Sequence, residues 1–409
     1  MKPLRSPRIG LVVPSLVQGG GVPAVARFLK DTILRSRFEL RLVSLSTSME
    51  DAHSLRLSAP TSWWRGATVA TGEWEGLPMT HVGAVAGELE FQRYRPRSAL
   101  SGTLADCDIV QVVCGSPAWA NAVCGLGKPV AVHCATRARV ERRRRDGNPN
   151  GLAGWWRRGM TRITDRIDDR ALRNVDAIQV MNPWMLEYVQ RLNAGREVDV
   201  RYAPPGVDAN LFEPATERGL DGDRYILCVG RLDDPRKNIG LLLDAYALLP
   251  QEVRQSTRLV LAGSSGPPAA FWKRADALGL RDRIAYVARP ERTTLRDLYQ
   301  RCALFALASD EEGFGMVLLE AMACGVPVVS TRSGGPDGII TDGEDGYLVP
   351  LDDATTMAAR MENLLQNPAH NTAMGRRARQ TIECRYDEHI AGKAFVDMWE
   401  RMTHKMEIA

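Results

Sequence analysis

The residues with the clearest chemical content lie in one run, Asp310-Glu311-Glu312-Gly313-Phe314-Gly315-Met316, continuing to Glu320 and closing at Gly325. Gly313 and Gly315 bracket Phe314, and the glutamates Glu312 and Glu320 flank that turn with seven residues between them. Met316 to Cys324 reads as a helix stopped by Gly325. Glycines at a helix start leave backbone N–H groups open to a phosphate. Glu312 stands before the helix, where a carboxylate can reach ligand hydroxyls. Glu320 lies just over one turn inside and can accept from another hydroxyl. Taken singly, Glu312 is also the acid that a helix macrodipole favours at its N-terminus, and Glu320 a solvated helix position. Neither explanation accounts for two glycines around an aromatic between the acids.

A second group lies in Cys228-Val229-Gly230-Arg231 and the following Lys237-Asn238. A strand ends at Gly230, where the missing side chain lets a ligand approach the backbone. Arg231 and Lys237 then place two cations near the strand end. Arg grips two oxygens with its fork and Lys supplies a point charge, a pairing suited to a diphosphate. The same two residues could equally be solvated surface cations. Ser333-Gly334-Gly335-Pro336 offers another close-approach loop. In the first half, Gly19-Gly20-Gly21 follows an opening strand and precedes a helix, the geometry of an anion site, although it is neither Gly-x-Gly-x-x-Gly nor a P-loop. His133 ends the strand Val130 to Val132, and by itself is as readily a hydrogen-bonded strand-end histidine as a functional group.

These groups need rigid elements to hold them. Short apolar runs such as Ile9 to Val13, Ile109 to Val113, Tyr225 to Val229 and Leu304 to Leu307 alternate with helix-period segments, which means parallel sheets covered on both faces. The pattern pauses from Ala203 to Asp223 in a linker rich in Pro, Gly and charge. At 409 residues the chain is too long for one core. The expected organisation is an α/β chain of two Rossmann-like domains, 1–205 and 206–389, with a cleft between them. The amphipathic segment 390–409 can pack back on the first.

A net charge of +4 does not argue for nucleic acid. The basic residues are concentrated instead: between Arg137 and Arg170 there are eleven arginines against five acids, with Trp155-Trp156 embedded. Arg142 to Arg145 beside these tryptophans suit an anionic acceptor or an anionic bilayer surface as well as they suit a solvated loop and helix. None of the eight cysteines forms a Cys-x-x-Cys pair, so buried free thiols are expected rather than zinc or redox sites. With no run long enough to span a bilayer, the expectation is a cytoplasmic protein that can sit peripherally on the inner membrane surface.

Together the spacings resemble the retaining GT-B glycosyltransferases of family 4, over nearly the whole chain and most specifically in its second half. The pair Glu312 and Glu320 resembles that family's signature. Gly230-Arg231 with Lys237-Asn238 resembles its diphosphate grip, Ser333-Gly334-Gly335-Pro336 its glycine loop, and Pro205-Gly206-Val207-Asp208 the segment closing the first domain, with Pro205 where Asn is frequent. The resemblance implies a GT-B fold with parallel sheets facing across a cleft, and transfer from a nucleotide-diphosphate sugar with retention of anomeric configuration. No cofactor or metal is then expected beyond the donor substrate. His133, Glu312, Arg231 and Lys237 are implied as catalytic, and Gly20, Gly21, Gly230, Gly313, Phe314, Gly315 and Glu320 as donor-binding. The acceptor, the nucleobase and the sugar stay open. The alternatives are a nucleotide-sugar epimerase, a phosphorylase or a non-catalytic nucleotide-sugar-binding protein; a dinucleotide-dependent oxidoreductase lacks its fingerprint after the first strand.

Overall fold

The computed structural model describes residues 6–14, 16, 20–147, 151–216 and 224–408, so Gly19 lies outside the described residues. The chain forms two compact units, 1–205 with 392–409, and 206–391.

In the first unit, β1 (Arg8–Pro14), β2 (Glu39–Leu45), β3 (Val69–Trp74), β4 (Leu77–Val82), β5 (Ile109–Cys114), β6 (Val130–Cys134), β7 (Ala177–Val180) and β8 (Asp199–Tyr202) make one sheet in the order β3-β4-β2-β1-β5-β6-β7-β8. Only the β3–β4 pair is antiparallel. Those two strands are joined through Glu75 and Gly76, both at positive φ (50° and 77°), the backbone of a tight hairpin. The central strands β5 and β6 are buried along their whole length, as near-continuous apolar runs between two helical layers must be. Residues 392–409 belong to this unit. In the helix Glu388–Ile408, Phe395 meets Phe28 edge-on at 5.5 Å and Trp399 meets Phe38 at 5.9 Å. The buried Trp399 indole N–H donates to Gln111 Oε1 on β5 at 2.8 Å, so the polar atoms of both side chains are satisfied where water is absent.

The second unit carries β9 (Arg224–Arg231), β10 (Thr257–Ser265), β11 (Ile284–Ala288), β12 (Leu304–Leu307), β13 (Val328–Thr331) and β14 (Tyr347–Val349), ordered β11-β10-β9-β12-β13-β14 with every pair parallel. The chain steps outward from β9 to β11 and then returns to the other side of β9 with β12. Loops leaving β9 and β12 therefore diverge at a switch point, where open α/β sheets bind ligands. Leu242, Leu243 and Tyr246 of the helix Ile239–Leu248 pack with Ile226, Leu259 and Leu304 of the strands in one apolar cluster. Among the described residues, no helix is long and apolar enough to cross a membrane. All eight cysteines are free thiols, and all but Cys124 and Cys384 are buried.

Candidate active site

The site begins at the end of β9. Gly263 on β10 has φ +155°, and a Cβ there would stand 1.8 Å from the carbonyl oxygen of Gly230, so the two strand ends approach closer than any side chain permits. Past Gly230 the chain turns through Pro235–Lys237, with the Asp234 carboxylate accepting from the Arg236 N–H at 3.0 Å. Burial would raise the Asp234 pKa, but the Arg236 guanidinium and the turn N–H together hold it below its ordinary value. The turn returns Lys237 over the bare Gly230, its Cε lying 3.6 Å from where a Cβ would be.

Asn238 takes the left-handed conformation (φ 42°, ψ 46°), and its Oδ1 accepts from Leu241 N at 3.4 Å at the start of the helix Ile239–Leu248. Its amide Nδ2 donates to Asp310 Oδ1 at 2.7 Å, and the Asp310 N–H donates to the Arg236 carbonyl at 2.8 Å. Arg236 reaches Glu311 at 3.2 Å. These bonds tie the loop after β9 to the loop after β12.

Glu312 is the meeting point. Its carboxylate is ion-paired with the Lys237 ammonium, and the Ser309 hydroxyl donates to the same oxygen at 3.4 Å. Its backbone is held too: Glu312 N–H donates to the Ser333 carbonyl at 2.9 Å, and Gly335 N–H donates to the Glu312 carbonyl at 2.8 Å. The loops following the adjacent strands β9, β12 and β13 thus converge on one residue, the first two at its carboxylate and the third at its backbone. A Cβ on Gly335 would lie 2.3 Å from the Phe314 carbonyl oxygen, so this loop packs against the next without room for a side chain. Gly315, at φ 108°, ends the turn and begins the helix Met316–Ala323, whose first turn has no side-chain cap. Arg231 stands exposed beside these groups with Asp234 at 3.1 Å as its ion-pair partner.

The structure brings Gly230, Arg231, Lys237, Glu312, Gly313 and Gly315 together in these connected loops. Glu320 lies behind them, one carboxylate oxygen accepting from Tyr299 at 2.9 Å. The Tyr299 hydroxyl is wholly buried; burial and the neighbouring carboxylate push its pKa well above the ordinary value. Phe314, expected from the sequence to be donor-binding, turns its side chain inward. It is buried, with its ring 6.1 Å from Tyr386, and braces the loop from beneath.

In the first unit, Gly20 and Gly21 follow β1 and start the helix Gly21–Arg35, both exposed, with open space where a Gly21 side chain would project. His133, expected from the sequence to be catalytic, is placed among core residues. Its ring is wholly buried, edge-on to Phe395 at 5.1 Å, with Nε2 3.0 Å from the Ala203 carbonyl. Burial lowers its pKa to about 4, and only the Ala203 carbonyl opposes that. The imidazole is packed in the core of the first unit. The arginine run divides as well. Arg142 is half-buried in an ion pair with Glu90, Arg143 is exposed, and the Arg145 side chain lies outside the described residues. Trp155 and Trp156 are exposed.

Sequence reasoning did not find Asp234, Arg236, Ser309 or Asp310 as the framework of the site. The one available signal was Asn238 before an apolar helical run, a cap in composition.

Residues 213–381 match the family described as glycosyl transferases group 1. The chain is 31% identical over 211 residues to D-inositol 3-phosphate glycosyltransferase 2 of Catenulispora acidiphila, covering 48% of this chain and 49% of that protein. It is 37% identical over 186 residues to D-inositol 3-phosphate glycosyltransferase of Mycolicibacterium paratuberculosis, covering 42% and 41%. The chain thus spans about half the length of the curated relatives it matches. Among solved structures it resembles sucrose-phosphate synthase from Thermosynechococcus elongatus, with TM-score 0.71 and 19% identity over 98% of this chain and 100% of that one. It also resembles Anabaena HepE in complex with UDP-glucose, with TM-score 0.70 and 16% identity over 96% and 99%. At these identities the likeness is one of fold. Residues 213–381 therefore match the model of the glycosyl transferases group 1 family, in a chain whose two α/β units have the GT-B fold of these structures.

Proposed function

We propose that this chain transfers a sugar from a nucleoside-diphosphate sugar to an acceptor hydroxyl, with retention at the anomeric carbon and without a divalent ion. The observation that carries the proposal is the convergence of three loops on Glu312, with Lys237 paired to it and Arg231 exposed alongside. Cations preorganised beside a departing diphosphate stabilise the charge that develops there, and such stabilisation often supplies most of the rate enhancement. In this reading the bond from the anomeric carbon to the phosphate oxygen breaks as the acceptor oxygen bonds to the same face. The acceptor proton passes to the leaving phosphate, whose growing charge Lys237 and Arg231 offset. Glu312 orients a sugar hydroxyl, and the loop at Gly313 and Gly315 admits the phosphates to the helix start. UDP-glucose, the molecule bound in the Anabaena structure, is the first donor to test. The basic first unit then favours an acceptor that is anionic or held at a membrane surface.

Glu312→Gln and Lys237→Met should each reduce transfer by about 100-fold or more, with melting temperature close to the parent's. Parent-like turnover in both variants would sink the assignment. Activity should survive chelation with EDTA; activity lost to EDTA and restored by magnesium or manganese would overturn the metal-free part. Proton NMR of the product reads the anomeric configuration, and an inverted product would remove retention.

A further inference from the structure

The helix Gly151–Asn174 has two outward surfaces in one. Its buried side, including Met160, Thr164, Ala171 and Leu172, packs into the first unit. With about 3.6 residues per turn, Leu152, Trp155, Trp156 and Ile163 project together from the opposite side. They are exposed to 91%, 62%, 64% and 40%, and form a continuous apolar ridge roughly 16 Å long at about 1.5 Å per residue. Further along, the same outward side carries Arg162, Arg166 and Arg170, all exposed and without an ion pair among the described residues.

The acids of this helix do not offset those arginines. Asp168 is buried and accepts from the backbone N–H groups of Ala118 and Ala138, both at 2.8 Å. Asp165 and Asp169 both pair with Arg137, at 3.0 and 2.8 Å. Every carboxylate of the helix is engaged toward the protein, and what faces out is aromatic and aliphatic at one end and cationic at the other.

We propose that this face docks on an anionic lipid bilayer, the tryptophan ridge entering the boundary between headgroups and acyl chains while Arg162, Arg166 and Arg170 meet lipid phosphates. Tryptophan, with an apolar body and one N–H, suits that boundary, and each arginine near an anionic surface strengthens attachment. A soluble partner of neutral surface would leave the arginines unanswered, and a second copy of this face presents no anionic groups to them. Arg142, the first of the basic run singled out by composition, is held by Glu90 and is not part of this face.

The proposal rests on the partner reading given above and is independent of sugar transfer. Its test is cosedimentation of the full chain, without donor, with vesicles of phosphatidylcholine alone or mixed with phosphatidylglycerol. Binding is expected on the mixed vesicles and weakened by salt, with tryptophan emission quenched by brominated acyl chains. The double variants Trp155→Ser with Trp156→Ser, and Arg162→Glu with Arg166→Glu, should each bind at least ~10-fold more weakly while melting as the parent does. Equal binding to both vesicle types, no binding, or parent-like binding by both double variants overturns the proposal. A dimer in size-exclusion chromatography that only the tryptophan variant dissolves would assign the ridge to a second copy and also overturn it. A chain that releases nucleoside diphosphate yet ignores vesicles refutes only the bilayer contact; one that binds vesicles and transfers nothing refutes only the reaction.

Discussion

Glu312 and Lys237 lie 75 positions apart in the chain and touch in the fold. Nothing in their local sequence predicts that contact; each alone is a common surface residue. The glycines and strand ends around them were legible because a turn after a buried strand leaves a composition signature. The burial of His133 and Phe314 was not legible for the complementary reason. Both stand at strand ends or loops, but the partners that bury them, Phe395 and Tyr386, come from distant elements. Burial gives His133 a measurable consequence. Its folded-state pKa, about 4, lies below the ordinary 6.5, so the unfolded chain takes up the proton first as pH falls. Stability from this group is complete above about pH 6.5 and is lost toward pH 4, by about 3 kcal/mol in all. Urea denaturation across that range, compared with His133→Leu, should show a steeper loss in the parent; parallel curves would mean that the ring is hydrated.

At the scale of elements, alternating strands and helices were readable from apolar runs and their spacing, because parallel strands buried on both faces leave little choice of residue. The packing of the helix Glu388–Ile408 was not readable, since an amphipathic face names no partner. The structure supplies one: Trp399 fills the space between Phe38 and Phe395 and bonds Gln111. Trp399→Ala should destabilise the first unit by about 3–5 kcal/mol, because it opens a cavity and strands the buried Gln111 amide. Chemical denaturation with a probe in each unit checks this. A loss under about 1 kcal/mol would show that the helix is peripheral to that core.

For the molecule as a whole, the two sheets share a device: a glycine stands where a central strand gives way to its loop, at Gly20 after β1 and at Gly230 at the end of β9. Composition showed both loops, but only the topology places each beside the point where strand order reverses. If the second unit holds the nucleotide, a nucleoside diphosphate at ~100 times its dissociation constant should add about 2.7 kcal/mol to the stability of that unit. Hydrogen exchange should then slow most at residues 230–238 and 309–320, and protection absent from both segments would place the nucleotide elsewhere. The ion pair between Lys237 and Glu312 gives this site a further property. The two charges satisfy each other, so a molecule that binds through Lys237 or Glu312 must displace this contact before making its own. A diphosphate offers Lys237 a richer partner in exchange, and its sugar gives Glu312 a hydroxyl to hold. A nucleoside monophosphate would bring one phosphate and no transferable sugar, so on the proposed reading it should offset the lost ion pair less well than the loaded donor does.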